Sequence, residues 1–301
     1  ANPKAGDVNL VATGERQTAM VLSDMENCAV GLLCGTADVC LLQPTNYWKN
    51  AQQNGMPFSL NPAILYRGIS ANILNNGFCV MSQFFLNGVV RKLMLGDAVR
   101  ELSGAEKIGA GVTAGALSGV VCGPIELIMI QQQAKGGGLL STAISLMQAG
   151  PSTFFRGTLA MMAREGIYAG SFLGMMPVMR EQFMQMYPDS IGKTEDSARF
   201  SAAFLCAPIG GMLSHPPDTI KTCMQGDIEH TKFKGYGATA SVVIKERGAA
   251  ALWAGYPWRC FRQLCALVMF DKIQSELVPK LFPHAFAPVA PKEGETLSPK
   301  R

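Results

Sequence analysis

Apolar segments recur six times along the chain, and each is about as long as a helix that crosses a membrane. An α-helix needs about 20 residues to span about 30 Å of hydrocarbon. The segments are interrupted by polar residues such as Asp38 and Arg164, which is expected if those side chains face a shared, water-filled interior. The pattern predicts an all-α membrane protein with six transmembrane helices, over residues 23–45, 69–95, 107–130, 158–183, 199–214 and 258–281.

Polar residues on the second segment follow a helical spacing. They step by four, three, four and four positions, which places them on one helical face: Asn72, Asn76, Cys79, Gln83 and Asn87. The other faces hold large apolar side chains such as Phe78, Phe84 and Phe85. A helix that is apolar on three sides and amide-rich on one predicts the lining of a cavity.

One pattern returns three times, around Pro44, Pro124 and Pro216. Small residues stand nine and thirteen positions before each proline, a spacing that lets helix backbones approach closely. Each proline is followed nine positions later by a glutamine and further on by an aromatic-x-Gly motif, as listed next. The glutamines are Gln53, Gln133 and Gln225, and the glycines are Gly68, Gly157 and Gly255. Three tandem helix–loop–helix repeats are therefore predicted over 23–95, 104–186 and 197–281, with both termini on one side, an N-terminal tail at 1–22 and a Pro-rich C-terminal tail at 282–301.

Composition agrees with a membrane protein. Charged residues make up 16% of the 301 residues, against about 25% in soluble proteins, and the mean hydropathy is +0.17. A formal net charge of +4 and 48% hydrophobic residues argue against a disordered chain and against a charge-driven nucleic-acid binder. Nine cysteines without a C-x-x-C pair indicate buried thiols in a reducing compartment, and the N-terminus shows no secretory signal.

The sequence offers little for an enzyme. Gly192-Lys193-Thr194 lacks the earlier glycine of a phosphate-binding loop, because Tyr187 stands at that position. The three histidines have no spacing that suits a metal. We therefore predict a protein that is not an enzyme, with no catalytic residue, no metal and no cofactor.

The repeated motifs resemble those of the mitochondrial carrier family, over about residues 23–281. That family has three copies of P-x-[DE]-x-x-[KR], each followed by an aromatic-[KR]-G element. The resemblance implies six helices with pseudo-threefold symmetry, multi-pass in the mitochondrial inner membrane, which move a small-molecule substrate by alternating access. It also implies kinks at the three prolines and cardiolipin bound near Gly68, Gly157 and Gly255.

The resemblance further implies a gate on the matrix side. In the family, the acid two positions after each proline pairs with the base five positions after the next repeat's proline. Here Glu126 would pair with Lys221, and Asp218 with Lys49. The third pair would be Asn46 with Met129, so both of its partners have lost their charge together. Gln53, Gln133 and Gln225 match the family's braces beneath these pairs.

A second gate, on the cytoplasmic side, keeps fewer charges. The family motif is [FY]-[DE]-x-x-[KR] on each even-numbered helix. Arg91 and Arg180 keep the base without the acid, and Asp271 keeps the acid without the base. The resemblance then leaves one pair, between Asp271 and Arg91.

The family's substrate sites also transfer by position. They fall on Asn75 and Asn76, with Asn72 on the same face, and on Arg164 with Glu165. An Arg next to an acid resembles carriers of amino acids or similar zwitterions. Three questions stay open here. In the third repeat Arg259, Arg262 or both reach the cavity. Arg164 is either a substrate ligand or a structural tie to Glu165 or Asp38. Asp38 itself is either a proton-coupling group or a hydrogen-bond partner of a neighbouring helix.

Two functions fit these observations. The first is a mitochondrial inner-membrane carrier of a small anionic or zwitterionic metabolite. The second is a degenerate carrier fold that serves as an accessory subunit of a respiratory complex, with little or no transport. The lost gate charges, Pro177 at a gate position and the short first loop favour the second; the retained pairs and the arginines favour the first.

Overall fold

A computed structural model describes residues 9–13, 16–20, 24–96, 100 and 102–286. Twelve α-helices lie within these residues. Helices α1 to α12 are Asp24–Asn54, Pro62–Leu65, Ile69–Leu95, Gly104–Lys135, Leu139–Gln148, Thr158–Ala169, Met176–Met186, Glu195–Leu213, His215–Gly226, Tyr236–Arg247, Tyr256–Lys272 and Val278–Leu281. Short 3₁₀ segments are Pro151–Phe155, Ala249–Trp253 and Pro283–Phe286, and π-helical turns are Gly170–Met175 and Ile273–Leu277.

The chain divides into two compact units. The first unit is residues 1–34 with 269–301, and it holds a hairpin of strands β1 (Asn9–Thr13) and β2 (Arg16–Met20). The predicted N-terminal tail contains this hairpin, which the helical pattern of the chain did not predict. Val30, Cys34 and Val278 form a buried apolar cluster in the same unit. Most of the predicted C-terminal tail lies outside the described residues.

The second unit is Gly35–Val268. In the part of the chain that the structure describes, each of the six predicted apolar segments is helical almost throughout, so the all-α prediction is confirmed outside the hairpin. Two stretches, Pro62–Leu95 and Gly104–Lys135, are long and apolar enough to cross a membrane by length and composition. The first and third segments continue past their prolines, because α1 contains Pro44 and α4 contains Pro124.

The motif prolines each leave one helical carbonyl without a donor, because proline has no N–H to offer the residue four positions earlier. In the first and third repeats, the aromatic side chain of the aromatic-x-Gly motif supplies the missing hydrogen bond. Tyr66 Oη donates to the Cys40 oxygen at 3.1 Å, and Trp253 Nε1 donates to the Met212 oxygen at 3.1 Å. In each of these two repeats, the bond connects the first long helix to the start of the second.

The motif glycines lie just before α3, α6 and α11 and have a left-handed conformation. Gly68, Gly157 and Gly255 have φ of 77°, 78° and 82°. A Cβ on each would meet the residue five positions after the next repeat's proline. On Gly255, for example, it would lie 2.8 Å from the Lys49 carbonyl oxygen, so any side chain there would part the two helices. The contacts are cyclic, with the third repeat closing onto the first.

The first repeat has a short loop, as its sequence spacing predicts. Its loop helix α2 has four residues, whereas α5 has 10 and α10 has 12. Aromatic packing replaces the missing helix. Trp48 stacks on Phe58 at 5.3 Å between centroids, lies 4.6 Å from Trp258, and donates Nε1 to the Ser59 oxygen at 2.8 Å.

Asp227 organises the loop between α9 and α10. Its carboxylate accepts hydrogen bonds from the backbone N–H groups of Thr231, Lys232 and Phe233 and from the Thr231 hydroxyl, at 2.8–3.1 Å. Burial acts to raise the pKa of Asp227, but these hydrogen bonds outweigh it and lower the pKa to about 2.

Asp227→Asn should lower the thermal unfolding temperature at neutral pH, because the charged acceptor is lost. An unfolded Asp has a pKa of about 3.9, so this contribution is complete above that pH and is lost as pH falls toward 2. The difference between wild type and Asp227→Asn should therefore be constant from pH 7 to 5 and shrink by pH 3. Glu229→Gln, at an exposed site in the same loop, is the control; a difference that persists unchanged at pH 3 would contradict the assignment.

Candidate functional site

A buried cluster of charges joins the second and third repeats to the first. Lys221 Nζ lies 2.5 Å from Glu126 Oε1 and 2.9 Å from Asp218 Oδ1, and Lys49 Nζ lies 2.8 Å from Asp218 Oδ2. Asp218 and Lys221 are completely buried. The structure thus brings together both charged pairs that the family resemblance implies.

The third position of this ring is uncharged. Asn46 Nδ2 faces Met129 Sδ at 3.6 Å, and both side chains are buried. Beside them, Asn50 Nδ2 donates to Gln133 Oε1 at 2.6 Å. The first and second repeats therefore meet here through amide and thioether groups where the other junctions have ion pairs.

Arg164 reaches into the cluster from α6. Its guanidinium contacts Glu126 Oε2 at 3.0 Å, Asp218 Oδ1 at 3.3 Å and Glu165 Oε1 at 2.5 Å. The tie to Glu165 was one of the alternatives left open by the sequence; a tie to Asp38 is not what forms. The contacts with Glu126 and Asp218 were not predicted, because spacing along one helix does not say how far an arginine reaches toward another.

Counting charges shows that this cluster is balanced. It has three acids (Glu126, Glu165, Asp218) and three bases (Lys49, Arg164, Lys221). A buried charge without a partner costs several kcal/mol, so the arrangement is stable only while all six are present or lost in pairs.

The three motif glutamines differ in what they contact. Gln53 Nε2 donates to Asp218 Oδ2 at 2.9 Å and so braces an ion pair. Gln133 accepts from Asn50. Gln225 Nε2 donates to the backbone oxygens of Gly123 and Arg156, each at 3.3 Å. Of the three predicted braces, Gln53 is thus hydrogen-bonded to an ion pair, whereas the hydrogen bonds of Gln133 and Gln225 go to Asn50 and to backbone oxygens.

The amide face of α3 is turned inward, while the apolar faces are exposed. Asn72, Asn75, Gln83 and Asn87 are buried, and Phe85 is 69% exposed. Three of the inward amides are bonded: Asn72 Nδ2 to Gln43 Oε1 at 2.7 Å, Gln83 Nε2 to Glu165 Oε2 at 2.9 Å, and Asn76 Nδ2 to the Gly35 oxygen at 3.2 Å. Asn75 Oδ1 and Asn87 Oδ1 are buried without a hydrogen-bond partner.

Two arginines on α11 have different surroundings. Arg262 forms an ion pair with Asp38 of α1. This contact supports the second alternative for Asp38, a bond to a neighbouring helix. Arg259 donates Nη2 to Ser214 Oγ at 2.8 Å and lies over the Tyr168 ring at 5.4 Å, while its Nη1 is buried without a hydrogen-bond partner. Arg259 is therefore the arginine of the two whose charge has no carboxylate within ion-pair distance among the described residues.

Two residues of the predicted cytoplasmic gate, Arg91 and Arg180, contact other groups. Arg91 Nη2 donates to the Leu173 oxygen at 3.3 Å. Arg180 pairs with Glu195 at 2.8 Å. The side chain of Asp271 lies outside what the structure describes.

Comparison with known proteins places these features in a family. A family model described as mitochondrial carrier protein matches residues 100–187 and 194–280, which is more than half of the chain. The matched residues are the second and third repeats. The first repeat holds the uncharged Asn46 and the shortened loop.

Similar proteins include carriers from protists and fungi. A probable mitochondrial 2-oxodicarboxylate carrier of Dictyostelium discoideum is 25% identical over 252 residues, 76% of this chain and 82% of that protein. A mitochondrial glycine transporter of Eremothecium gossypii is 25% identical over 278 residues, 82% and 94% of the two chains. The mitochondrial substrate carrier family protein ucpB of Dictyostelium discoideum is 25% identical over 166 residues, and the match spans 51% of this chain and 55% of that protein.

Proposed function

The chain belongs to the mitochondrial carrier family, and from this premise we propose that it moves a small anionic or zwitterionic metabolite across the mitochondrial inner membrane by alternating access. The family has a six-helix, three-repeat architecture and its members are solute transporters. The relatives named above agree with that class. The substrate, the inner membrane and the multi-pass arrangement are parts of the proposal.

The buried ion-pair ring is the observation on which the proposal depends. Its members come from all three repeats and meet at the proline-containing ends of the odd-numbered helices. Alternating access needs contacts that close one side in one state and break in the other. We assign the matrix gate to Lys49, Glu126, Asp218 and Lys221 with Gln53, while the opposing gate stays a prediction from the family resemblance.

The charge balance of the interior supports an anionic or zwitterionic substrate. Beyond the neutral cluster, Asp38 is matched by Arg262, and Arg259 adds one positive charge. A carboxylate is the natural partner for that guanidinium, and the buried oxygen of Asn75 offers an acceptor for an ammonium or hydroxyl group. Arg259 is therefore the proposed carboxylate ligand, and Asn72, Asn75 and Asn76 the polar wall.

Uptake into liposomes tests this function. Purified protein would be reconstituted and assayed with labelled glycine and other amino acids, 2-oxodicarboxylates, monocarboxylates and nucleotides. Uptake of an amino acid or carboxylate supports the proposal. The absence of uptake of every class, together with co-purification in a respiratory complex, would support the accessory-subunit alternative instead; none of the three relatives above is named as such a subunit.

Arg259→Gln should reduce uptake by about 10- to 100-fold, because a charge-assisted hydrogen bond to a carboxylate is worth about 1.5–3 kcal/mol. The measurement is initial uptake rate against substrate concentration. Arg262→Gln should reduce the uptake rate less than Arg259→Gln does. Lys193→Gln, at an exposed site, should leave the uptake rate unchanged. Unchanged uptake in Arg259→Gln with loss in Arg262→Gln would reverse the assignment of the two arginines.

Lipid binding is a separate proposal. Cardiolipin near Gly68, Gly157 and Gly255 rests on the family alone, and native mass spectrometry of the purified protein tests it.

A further inference from the structure

We propose that Arg164 and Glu165 replace the missing third ion pair of the gate, so that in this chain Arg164 holds the gate closed rather than binding substrate. The inference rests on the proposed carrier function only in calling the cluster a gate. Its test measures stability and local opening, so it is decided independently of whether uptake occurs.

The ring has a gap that needs an explanation. Ion pairs connect the second repeat to the third (Glu126 with Lys221) and the third to the first (Asp218 with Lys49). Between the first and second repeats, Asn46 meets Met129 at 3.6 Å without any charge. A ring with two of its three junctions charged would close with less cohesion at that junction.

Arg164 enters at a point where it strengthens both remaining pairs. Its guanidinium bridges the two gate acids, at 3.0 Å from Glu126 and 3.3 Å from Asp218. Each of these acids therefore contacts two or more cations. Because the side chain is 19% exposed, these ion pairs form in a largely dehydrated environment, where the attraction between charges is least screened. The contact with Glu126 is also a hydrogen bond, whereas the contact with Asp218 is an ion pair only.

Glu165 restores the link to the first repeat. Its Oε1 pairs with Arg164 at 2.5 Å, and its Oε2 accepts a hydrogen bond from Gln83 of α3 at 2.9 Å. The sequence Gln83–Glu165–Arg164–Glu126 is thus a continuous polar connection between the first and second repeats. It supplies the junction that Asn46 and Met129 leave without charge.

The stoichiometry of charge leads to the same conclusion. Without Arg164 and Glu165 the ring would have two acids and two bases; with them it has three of each, the number that three intact motifs would provide. A substrate carboxylate that took Arg164 away would leave Glu126, Glu165 and Asp218 with only two cations. Arg259, which has no carboxylate partner among the described residues, can accept that carboxylate without this cost.

A rescue experiment tests the replacement. The variant Arg164→Met/Glu165→Gln removes the proposed substitute pair without changing net charge. Asn46→Asp/Met129→Lys restores charge at the empty junction. We would compare wild type, both double variants and the quadruple variant by thermal unfolding in detergent and by hydrogen exchange of residues 46–53, 126–133 and 218–225. Lys232→Gln/Glu246→Gln, which removes an exposed pair, is the control.

The substitute pair's removal should lower the unfolding temperature by at least about 5 °C and speed exchange in the three segments. The quadruple variant should recover at least half of both losses, whereas Asn46→Asp/Met129→Lys alone should change little. Equal behaviour of the quadruple variant and Arg164→Met/Glu165→Gln would overturn the proposal, as would unfolding of the latter at the wild-type temperature. If Arg164→Met/Glu165→Gln does not fold, recovery of folded protein in the quadruple variant supports the proposal, and failure of both overturns it.

Discussion

Asp218→Asn is expected to lower the unfolding temperature by about 10 °C. Asp218 is fully buried and contacts Lys49, Lys221 and Arg164, with a further hydrogen bond from Gln53. Removing one partner of a buried ion pair costs about 3–5 kcal/mol. Here the loss leaves three buried cations sharing two acids, so we expect a cost in the upper part of that range. Each kcal/mol of lost stability lowers the unfolding temperature by several degrees at most.

The measurement is thermal unfolding of purified protein in detergent, with Asp189→Asn as a matched control at an exposed position. The variant should also show faster hydrogen exchange in α1 and α9, since Lys49 and Lys221 would lose their common acid. If Asp218→Asn unfolds within 2 °C of the wild type, with the control unchanged, the cluster does not stabilise the closed form as described.

The two family-type ion pairs could be predicted from the sequence because its repeats carry the motif positions at which the resembled family forms such pairs. Glu126 and Asp218 stand two positions after a motif proline, and Lys221 and Lys49 stand five after one. The family resemblance says which position of the next repeat each acid pairs with, so the partners follow from the motif positions. The same reasoning predicts that Asn46 and Met129 meet, and they do, at 3.6 Å.

The contacts of Arg164 could not be predicted in this way. The long, flexible side chain of Arg164 on α6 can reach several acids. Which acid it contacts depends on the separation of α4 and α6. That separation is determined by side-chain volume at the helix contact, which a spacing rule does not measure. The glutamines show the same limit: spacing assigns Gln225 to a face, but it does not show that its amide donates to the carbonyls of Gly123 and Arg156.

The N-terminal hairpin shows a different limit. A five-residue strand gives only a weak alternating pattern, and residues 9–13 and 16–20 are mixed in polarity. Strand pairing is also stabilised by the partner strand more than by local preference. An apolar helical period over 20 or more residues is a stronger signal, which is why the six helical stretches were predicted and the hairpin was not.

The close contact between α4 and α6 determines where Arg164 and Glu165 lie, so a substitution at this contact should strongly affect the stability of the protein. Gly115→Ala is expected to reduce the yield of folded protein severely. A Cβ on Gly115 would lie 2.5 Å from the Cβ of Ala169 and closer still to the carbonyl oxygen of Glu165. Backbone atoms cannot move aside as a side chain can, so the two helices must separate.

Overpacking a buried contact costs about 1–3 kcal/mol and sometimes more, and here the displacement also draws Glu165 away from Gln83. Gly115→Ala should therefore lower the unfolding temperature and speed hydrogen exchange at residues 126–133, even though alanine favours a helix by about 1 kcal/mol over glycine. Gly77→Ala is the matched control: it lies in helix α3, where an added Cβ would meet nothing within 4 Å, and it should unfold at or slightly above the wild-type temperature. If Gly115→Ala unfolds like Gly77→Ala, the contact between α6 and α4 tolerates a methyl group. The position of Arg164 and Glu165 is then determined by their ion pairs and not by the glycine contact.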